Sequence, residues 1–269
     1  MKLINSPRFN RLSGIVLAYY VLASVFALLL GIVQPATGIP VVIIQLTQFG
    51  PTLAVLIVLC LLPGSRGLVR QSGLRSSKAG IAQLGEAVLI VVAIFVAALA
   101  WYGLSGHTID FTNPFDLAHP IWLIVIAQFI GAAGEEIGWR CFLQPTLQTR
   151  MGVLLSSVVV GLLWGVWHVG VFAEGWLYAS SFILFAVCLS VILGELLRGK
   201  RLKLPTATTF HALINLALLL WFKEEGGDAY AMATMAIATL IAAVCVLIVH
   251  SVRTGRGTRK SNNTFPELR

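Results

Sequence analysis

The sequence has few charged residues: Asp, Glu, Lys and Arg make up only 11% of its 269 positions, whereas soluble domains have roughly a quarter. It also has only four cysteines, and they show no C-x-x-C spacing, which argues against metal or disulfide roles for them. Neither an internal repeat nor an inverted pair of broken helices is visible, so little in the sequence indicates a transporter. The chain instead has 58% hydrophobic residues, arranged in long uncharged runs.

These runs predict an all-α membrane protein. A bilayer core offers the backbone no water, so only helices or closed barrels cross it, and apolar runs of about 20 residues favour helices. We predict a polytopic membrane helix bundle of about eight transmembrane helices over residues 1–252, followed by a basic, disordered cytoplasmic tail over residues 253–269. The predicted spans are Ser13–Val33, Val41–Leu62, Leu84–Leu104, Pro120–Phe142, Val153–Phe172, Trp176–Leu197, Pro205–Phe222 and Tyr230–Val252.

The distribution of charge orients this bundle. A net charge of +8 would suggest a nucleic-acid partner in a soluble protein, but here the basic residues lie in short segments between apolar runs. If the N-terminus is cytoplasmic, every one of the 19 lysines and arginines except Lys223 falls in a cytoplasmic segment. We therefore expect both termini in the cytoplasm, membrane lipid as a partner and no nucleic acid.

Three charged residues interrupt the fourth predicted span, where an ionised side chain costs roughly 2.5–3.5 kcal/mol to insert. Glu136 and Arg140 are four residues apart and share a helix face, so they predict a structural ion pair. Glu135 is turned by about 100° from that face. It therefore needs a partner from another helix, as expected of a group that takes up and releases a proton.

Two other spans supply polar residues at the same spacing. The fifth span contains Trp164-Gly165-Val166-Trp167-His168, and the seventh contains His211-Ala212-Leu213-Ile214-Asn215. His211 and Asn215 share a face and could direct two hydrogen-bond donors at one point, as an oxyanion site requires.

Four glycines predict how the fourth and fifth spans meet. Gly134 and Gly138 form one small-xxx-small face, and Gly161 and Gly165 form another. Such faces permit close approach of helices in membranes. We expect these two faces to pack together and so to bring Glu135 near the fifth span.

Taken in order, the three motifs resemble the type II CAAX prenyl endopeptidase family, also called the CAAX protease and bacteriocin-processing (CPBP, or Abi) family. The motifs are Glu-Glu-x-x-x-Arg at 135–140, aromatic-x-x-x-His at 164–168 and His-x-x-x-Asn at 211–215, within a family-like core of about residues 120–222. The second motif begins with Trp164, where phenylalanine is commonest. The resemblance implies a protease that cleaves a membrane-associated protein or peptide. The size and compactness of the chain favour a bacterial plasma membrane as its location.

The resemblance also implies a role for each motif residue. Water activation falls to Glu135 and His168, the oxyanion site to His211 and Asn215, and structural support to Glu136 and Arg140. Zinc is a possible cofactor, held by Glu135, His168 and His211. However, the sequence has no H-E-x-x-H pair, and His211 as a ligand would be lost as an oxyanion donor. We favour water activation without a permanent metal.

Two alternatives have a different character. The charged cluster could serve only helix packing or partner binding in a non-catalytic membrane scaffold or a bacteriocin-immunity protein. Glu135 could also be the proton site of a transporter.

The depths of the motif residues pose a geometric condition. A fourth helix ending at Phe142 would place Glu135 roughly 10 Å from the cytoplasmic edge and His168 about 22 Å from it. We therefore predict that this helix continues past Arg140 to about Thr149, with a kink at Pro145. A helix that ends near Cys141 would leave Glu135 and His168 apart.

Overall fold

The computed structural model describes residues 7–61, 78–199, 203–222 and 227–261, and within these ranges all regular structure is helical. Their nine α-helices are α1 (Pro7–Thr37), α2 (Gly50–Leu61), α3 (Lys78–Leu104), α4 (Ile121–Gly138), α5 (Gln144–Gln148), α6 (Val153–Trp167), α7 (Trp176–Leu196), α8 (Lys203–Trp221) and α9 (Ala229–Ser261). Short 3-10 helices at Leu46–Phe49 and Val169–Glu174 precede α2 and follow α6.

The prediction of a polytopic all-α membrane bundle is confirmed. Six helical segments of the described chain are long and apolar enough to cross a membrane. The second and fifth predicted spans are also apolar helices, but they are shorter, at Leu46–Leu61 and Val153–Trp167. Large aliphatic side chains such as Leu28 and Leu89 are 65% and 70% exposed, as expected of a surface that faces lipid. The protein is therefore an integral membrane protein.

The fourth predicted helix continues past Arg140, as the depth condition required. A π-helical turn at Trp139–Leu143 joins α4 to α5, and the helix ends at Gln148, one residue before the predicted end. The irregular turn lies just before Pro145, which has no N–H and whose ring would clash with the carbonyl of Cys141 in a regular helix. A wider turn relieves this clash, so the helix passes through the proline.

The fifth predicted helix is shorter than expected: α6 ends at Trp167 and not at Phe172. His168 has φ −77° and ψ 66°, which is outside the helical region. Its ring Nδ1 lies 2.8 Å from the backbone oxygen of Trp164, the group that the His168 N–H would bind if the helix continued. At this helix end the His168 ring therefore binds the Trp164 backbone oxygen in place of the His168 backbone N–H.

Helix α7 lies at the centre of the bundle, between α6 and α9, while α4 packs against α2 and α8. Helix α3 contacts α8 and α9, and α1 contacts α2. The final helix extends to Ser261, past the predicted end at Val252, and residues 262–269 of the predicted tail lie outside the described residues. Helix α4, the end of α6 and helix α8 carry the three motifs.

Candidate active site

Glu135 is buried in the bundle, with only 2% of its surface exposed. Gln48 donates from Nε2 to its Oε1 at 3.2 Å, and Trp164 donates from Nε1 to its Oε2 at 2.8 Å. Both donors are neutral, and they come from different elements, the first 3-10 helix and α6. The carboxylate is therefore fixed in position without an ion pair to either donor.

Small residues of α4 allow Gln48 to come this close. A Cβ at Gly131 would overlap the side-chain amide of Gln48, and one at Gly134 would lie 3.0 Å from the Gln48 backbone oxygen. Thr52 also donates from Oγ1 to the Gly134 backbone oxygen at 2.5 Å. The glycine face of α4 thus holds the segment that supplies a hydrogen bond to Glu135.

Glu136 has a different set of partners, both of them basic residues. Its Oε2 lies 3.4 Å from Nε of Arg140, four residues along the chain, and its Oε1 lies 2.9 Å from Nδ1 of His211. All three side chains are buried. The predicted ion pair is therefore formed, and it extends to the third motif through His211.

Trp164 joins the three motifs. Its indole donates to Glu135, and its ring lies beneath the Arg140 guanidinium, with Cζ 4.4 Å from the ring centroid. The ring of His211 contacts it edge to face at 5.2 Å, and that of His168 at 5.7 Å. A guanidinium over an indole face is an attractive cation–π pair. Trp164 therefore organises the site as well as lining it.

His168 lies at the C-terminal end of α6 and is partly exposed. Since a carbonyl oxygen only accepts, the contact with the Trp164 oxygen assigns the proton of the neutral ring to Nδ1. Its Nε2 then has a free lone pair. The rings of Trp167 and Phe182 contact the imidazole at 5.1 and 5.0 Å and fix its orientation.

Asn215 lies one turn beyond His211 on α8 and is partly buried. Its Nδ2 donates to Oε1 of Gln128, on α4, at 3.1 Å. The amide has a second N–H, and the His211 ring has a second nitrogen, Nε2. Each residue of the third motif is thus anchored to α4 through one atom and keeps another potential donor.

Glu135 and His168 share a neighbour, Trp164. Glu135 binds the indole of Trp164, and His168 binds the backbone oxygen of the same residue. Within the described residues, no direct hydrogen bond joins Glu135 to His168. Glu135 and His168, the two residues predicted to activate water, are therefore linked through Trp164.

The predicted pairing of the two glycine faces is wrong. Gly134 and Gly138 face the first 3-10 helix, Pro51 of α2 and Tyr19 of α1, whereas Gly161 and Gly165 face Val187 and Ile183 of α7. Each face does permit close helix contact, but with a different partner. The spacing of the glycines indicated a close approach and contained no information on which helix would make it.

If Glu135, His168 and His211 held a zinc ion, Glu135 would keep its hydrogen bonds from Gln48 and Trp164, and His211 would bind through Nε2, because its Nδ1 contacts Glu136. In the described part of the chain, no group of three or more His, Cys, Asp or Glu side chains is placed to hold a metal ion.

Gln48 and Gln128 are site residues that the sequence reasoning missed. Both are uncharged amides in or beside apolar spans, and each binds a predicted motif residue directly. The criterion that singled out the charged cluster, an unexplained polar group in an apolar span, would have found them if it had been extended to amides.

The part of the chain that carries the three motifs matches a known protein family. Residues 117–217 match the family model described as type II CAAX prenyl endopeptidase Rce1-like. All three motifs lie within these residues. The match confirms the resemblance that the motifs indicated.

The chain is also similar to lysostaphin resistance protein A of Staphylococcus aureus. The proteins from strains bovine RF122 / ET3-1, Newman and USA300 are each 29% identical to it over 243 residues. These alignments cover 87% of this chain but 57% of each relative. The chain thus spans little more than half the length of these relatives.

Proposed function

We propose that the protein is an intramembrane endopeptidase that hydrolyses a peptide bond of a membrane-associated protein or peptide. The observation that carries this proposal is that two adjacent buried acids have partners of different charge. Glu136 is held by Arg140 and His211, whereas Glu135 accepts from the neutral donors Gln48 and Trp164. A carboxylate that is fixed but not ion-paired to its donors suits a general base, and the match to the CAAX endopeptidase family model supports this role.

In the proposed reaction, Glu135 takes a proton from water, and the resulting hydroxide attacks the carbonyl carbon of the peptide bond. The free lone pair on Nε2 of His168 accepts a hydrogen bond from the same water and orients it. The C–N bond then breaks, and the proton passes to the departing amine. The products are a new carboxylate and a new amino terminus.

The third motif would stabilise the negative charge on the carbonyl oxygen. Asn215 offers its second Nδ2 hydrogen, because the first is donated to Gln128. His211 donates from Nε2 when its ring is doubly protonated, and the Glu136 carboxylate 2.9 Å from Nδ1 stabilises that cation. Loss of a single oxyanion donor typically lowers kcat by about 10²–10³-fold.

Substrate and orientation follow from the surroundings of the site. We propose a peptide or membrane-protein substrate that reaches the partly exposed His168 from within the membrane, and a bacterial plasma membrane as the location. The apolar helices and the bacterial relatives support this placement. The distribution of Lys and Arg supports cytoplasmic termini.

One observation favours a second candidate, a non-catalytic membrane protein of a resistance or immunity type. The Staphylococcus aureus relatives described above are named for resistance to lysostaphin and not for proteolysis. In such a protein the cluster of Glu136, Arg140 and His211 would serve packing, and Glu135 would be dispensable for function.

Cleavage of a quenched peptide library by purified protein distinguishes the two candidates. We expect the wild type to release fluorescence and Glu135→Ala to fall to the background rate, because the proton acceptor is lost. Glu86→Ala is the matched control, since it removes a partly buried glutamate of α3 outside the site. Equal rates for the wild type and Glu135→Ala would favour the non-catalytic candidate.

A further inference from the structure

A small apolar cavity lies between α7, the end of α8 and the start of α9. It has a volume of about 30 Å³, and its wall includes two phenylalanines, a leucine and two methionines: Phe182, Phe222, Leu218, Met232 and Met235. Asp228 is the one charged residue among the described residues that line it. Its Oδ2 accepts from the Tyr102 hydroxyl, and its Oδ1 accepts from the backbone N–H groups of Tyr230 and Ala231. This carboxylate therefore holds the start of α9, and the cavity favours an apolar occupant.

One wall of the cavity also belongs to the candidate active site. The Phe182 ring, which lines the cavity, contacts the His168 imidazole, with 5.0 Å between the ring centroids. His168 is the residue proposed above to orient the attacking water. A single aromatic ring therefore connects the cavity to the place where the peptide bond would be attacked.

A second wall continues the helix face that carries the third motif. His211, Asn215, Leu218 and Phe222 follow one another at intervals of four, three and four residues, which places them on one face of a helix. His211 and Asn215 are the proposed oxyanion donors, whereas Leu218 and Phe222 line the cavity. Three residues correspond to about 4.5 Å along a helix axis, and neighbouring Cα atoms of a peptide are about 3.8 Å apart. A peptide with its carbonyl oxygen at Asn215 would thus have an adjacent side chain at the level of the cavity.

We propose that this cavity is a specificity pocket, which receives a small apolar side chain from a substrate residue next to the cleaved bond. The proposal rests on the proposed function and extends it to a class of substrate. One water-sized group needs about 10–15 Å³ on this measure of volume, so the cavity holds roughly two to three such groups. Side chains from alanine to valine have this size. A charged side chain is disfavoured, because burial of a charge without a partner is costly.

The relative rates of cleavage of matched peptides test the proposal. A peptide that the wild type cleaves is made with Ala, Val, Leu, Phe or Asp at each of the two positions on either side of the cleaved bond, and kcat/KM is measured for each. Leu218→Ala enlarges the cavity from α8. Leu189→Ala is the matched control, because it truncates a buried leucine of α7 that does not line the cavity. Ratios of kcat/KM within one variant do not depend on how much of the protein is folded.

At one position we expect the wild type to favour Ala or Val over Phe and Asp by about tenfold or more, because a single misfitting methylene changes kcat/KM about 10–200-fold. At that position alone, Leu218→Ala should raise the ratio of the Phe peptide to the Ala peptide about tenfold, and Leu189→Ala should change it less than about twofold. Cleavage without a preference at any position, or equal ratios in Leu218→Ala and the wild type, would overturn the pocket but leave the proposed function intact. Failure of the wild type to cleave any peptide would overturn both.

Discussion

The substitution Trp164→Phe isolates the hydrogen bond that fixes Glu135. It removes the Nε1 donor 2.8 Å from Glu135 Oε2 but keeps an aromatic ring between Arg140 and His211. A hydrogen bond to a charged group contributes about 1.5–3 kcal/mol. The smaller ring also leaves a void, which we expect to cost about 1 kcal/mol. The free energy of unfolding, measured by detergent titration, should fall by about 2.5–4 kcal/mol as the sum of these two terms.

Trp167→Phe provides a matched control for this experiment. It removes the same atoms from a neighbouring tryptophan of α6, whose Nε1 is buried and has no hydrogen-bond partner in the ranges that the structure describes. Only the void term applies to this variant, so the two variants should differ by about 1.5–3 kcal/mol. The rate of peptide cleavage should also fall further in Trp164→Phe, because the carboxylate loses one of its two donors. Equal loss of stability in the two variants would refute the assignment of this hydrogen bond.

Two further predictions concern packing and metal. Gly161→Ala should lower the free energy of unfolding by about 1–3 kcal/mol, because the added Cβ would meet the Val187 backbone of α7. Gly85→Ala has open space around its Cβ and should raise the free energy of unfolding by about 0.5–1 kcal/mol. A loss of stability in both variants would contradict the packing described for α6 and α7. Zinc in the purified protein should be far below one ion per chain and unchanged in His168→Ala, and a strong chelator should leave cleavage unaffected; about one zinc per chain, lost in His168→Ala, would contradict this.

The helical bundle and the pair of Glu136 and Arg140 could be predicted because they depend on local rules. Long apolar runs require helices in lipid, and residues four apart on a helix are neighbours wherever that helix packs. The continuation of the fourth helix followed from a requirement on depth. Its irregular turn was predicted at Pro145 but lies just before it, because the clash of a proline falls on the preceding turn.

The partners of Glu135 could not be predicted, because they depend on how helices are arranged. Gln48 is 87 positions away in the chain, and nothing in its spacing relates it to the fourth helix. The glycine faces likewise predicted close contacts but not their partners, which are the first 3-10 helix, α1, α2 and α7. The end of α6 at Trp167 depends on a side chain that binds its own backbone, which an apolar run does not reveal.

Trp164 stands where the family motif most often has phenylalanine, and this difference affects the site more than the motif suggested. In the sequence it is one aromatic residue in place of the commoner phenylalanine. In the structure the indole N–H binds Glu135, a contact that phenylalanine cannot make. The site of this chain therefore uses a donor that the motif pattern does not include.

The most direct test of the central claim is the rate of peptide cleavage by Glu135→Gln in water enriched in ¹⁸O. The variant keeps the size of the side chain and its place between Gln48 and Trp164 but cannot take a proton from water. The account predicts that the wild type incorporates ¹⁸O into the new carboxylate of one product, and that folded Glu135→Gln cleaves at the background rate. Cleavage by Glu135→Gln at the wild-type rate would contradict it.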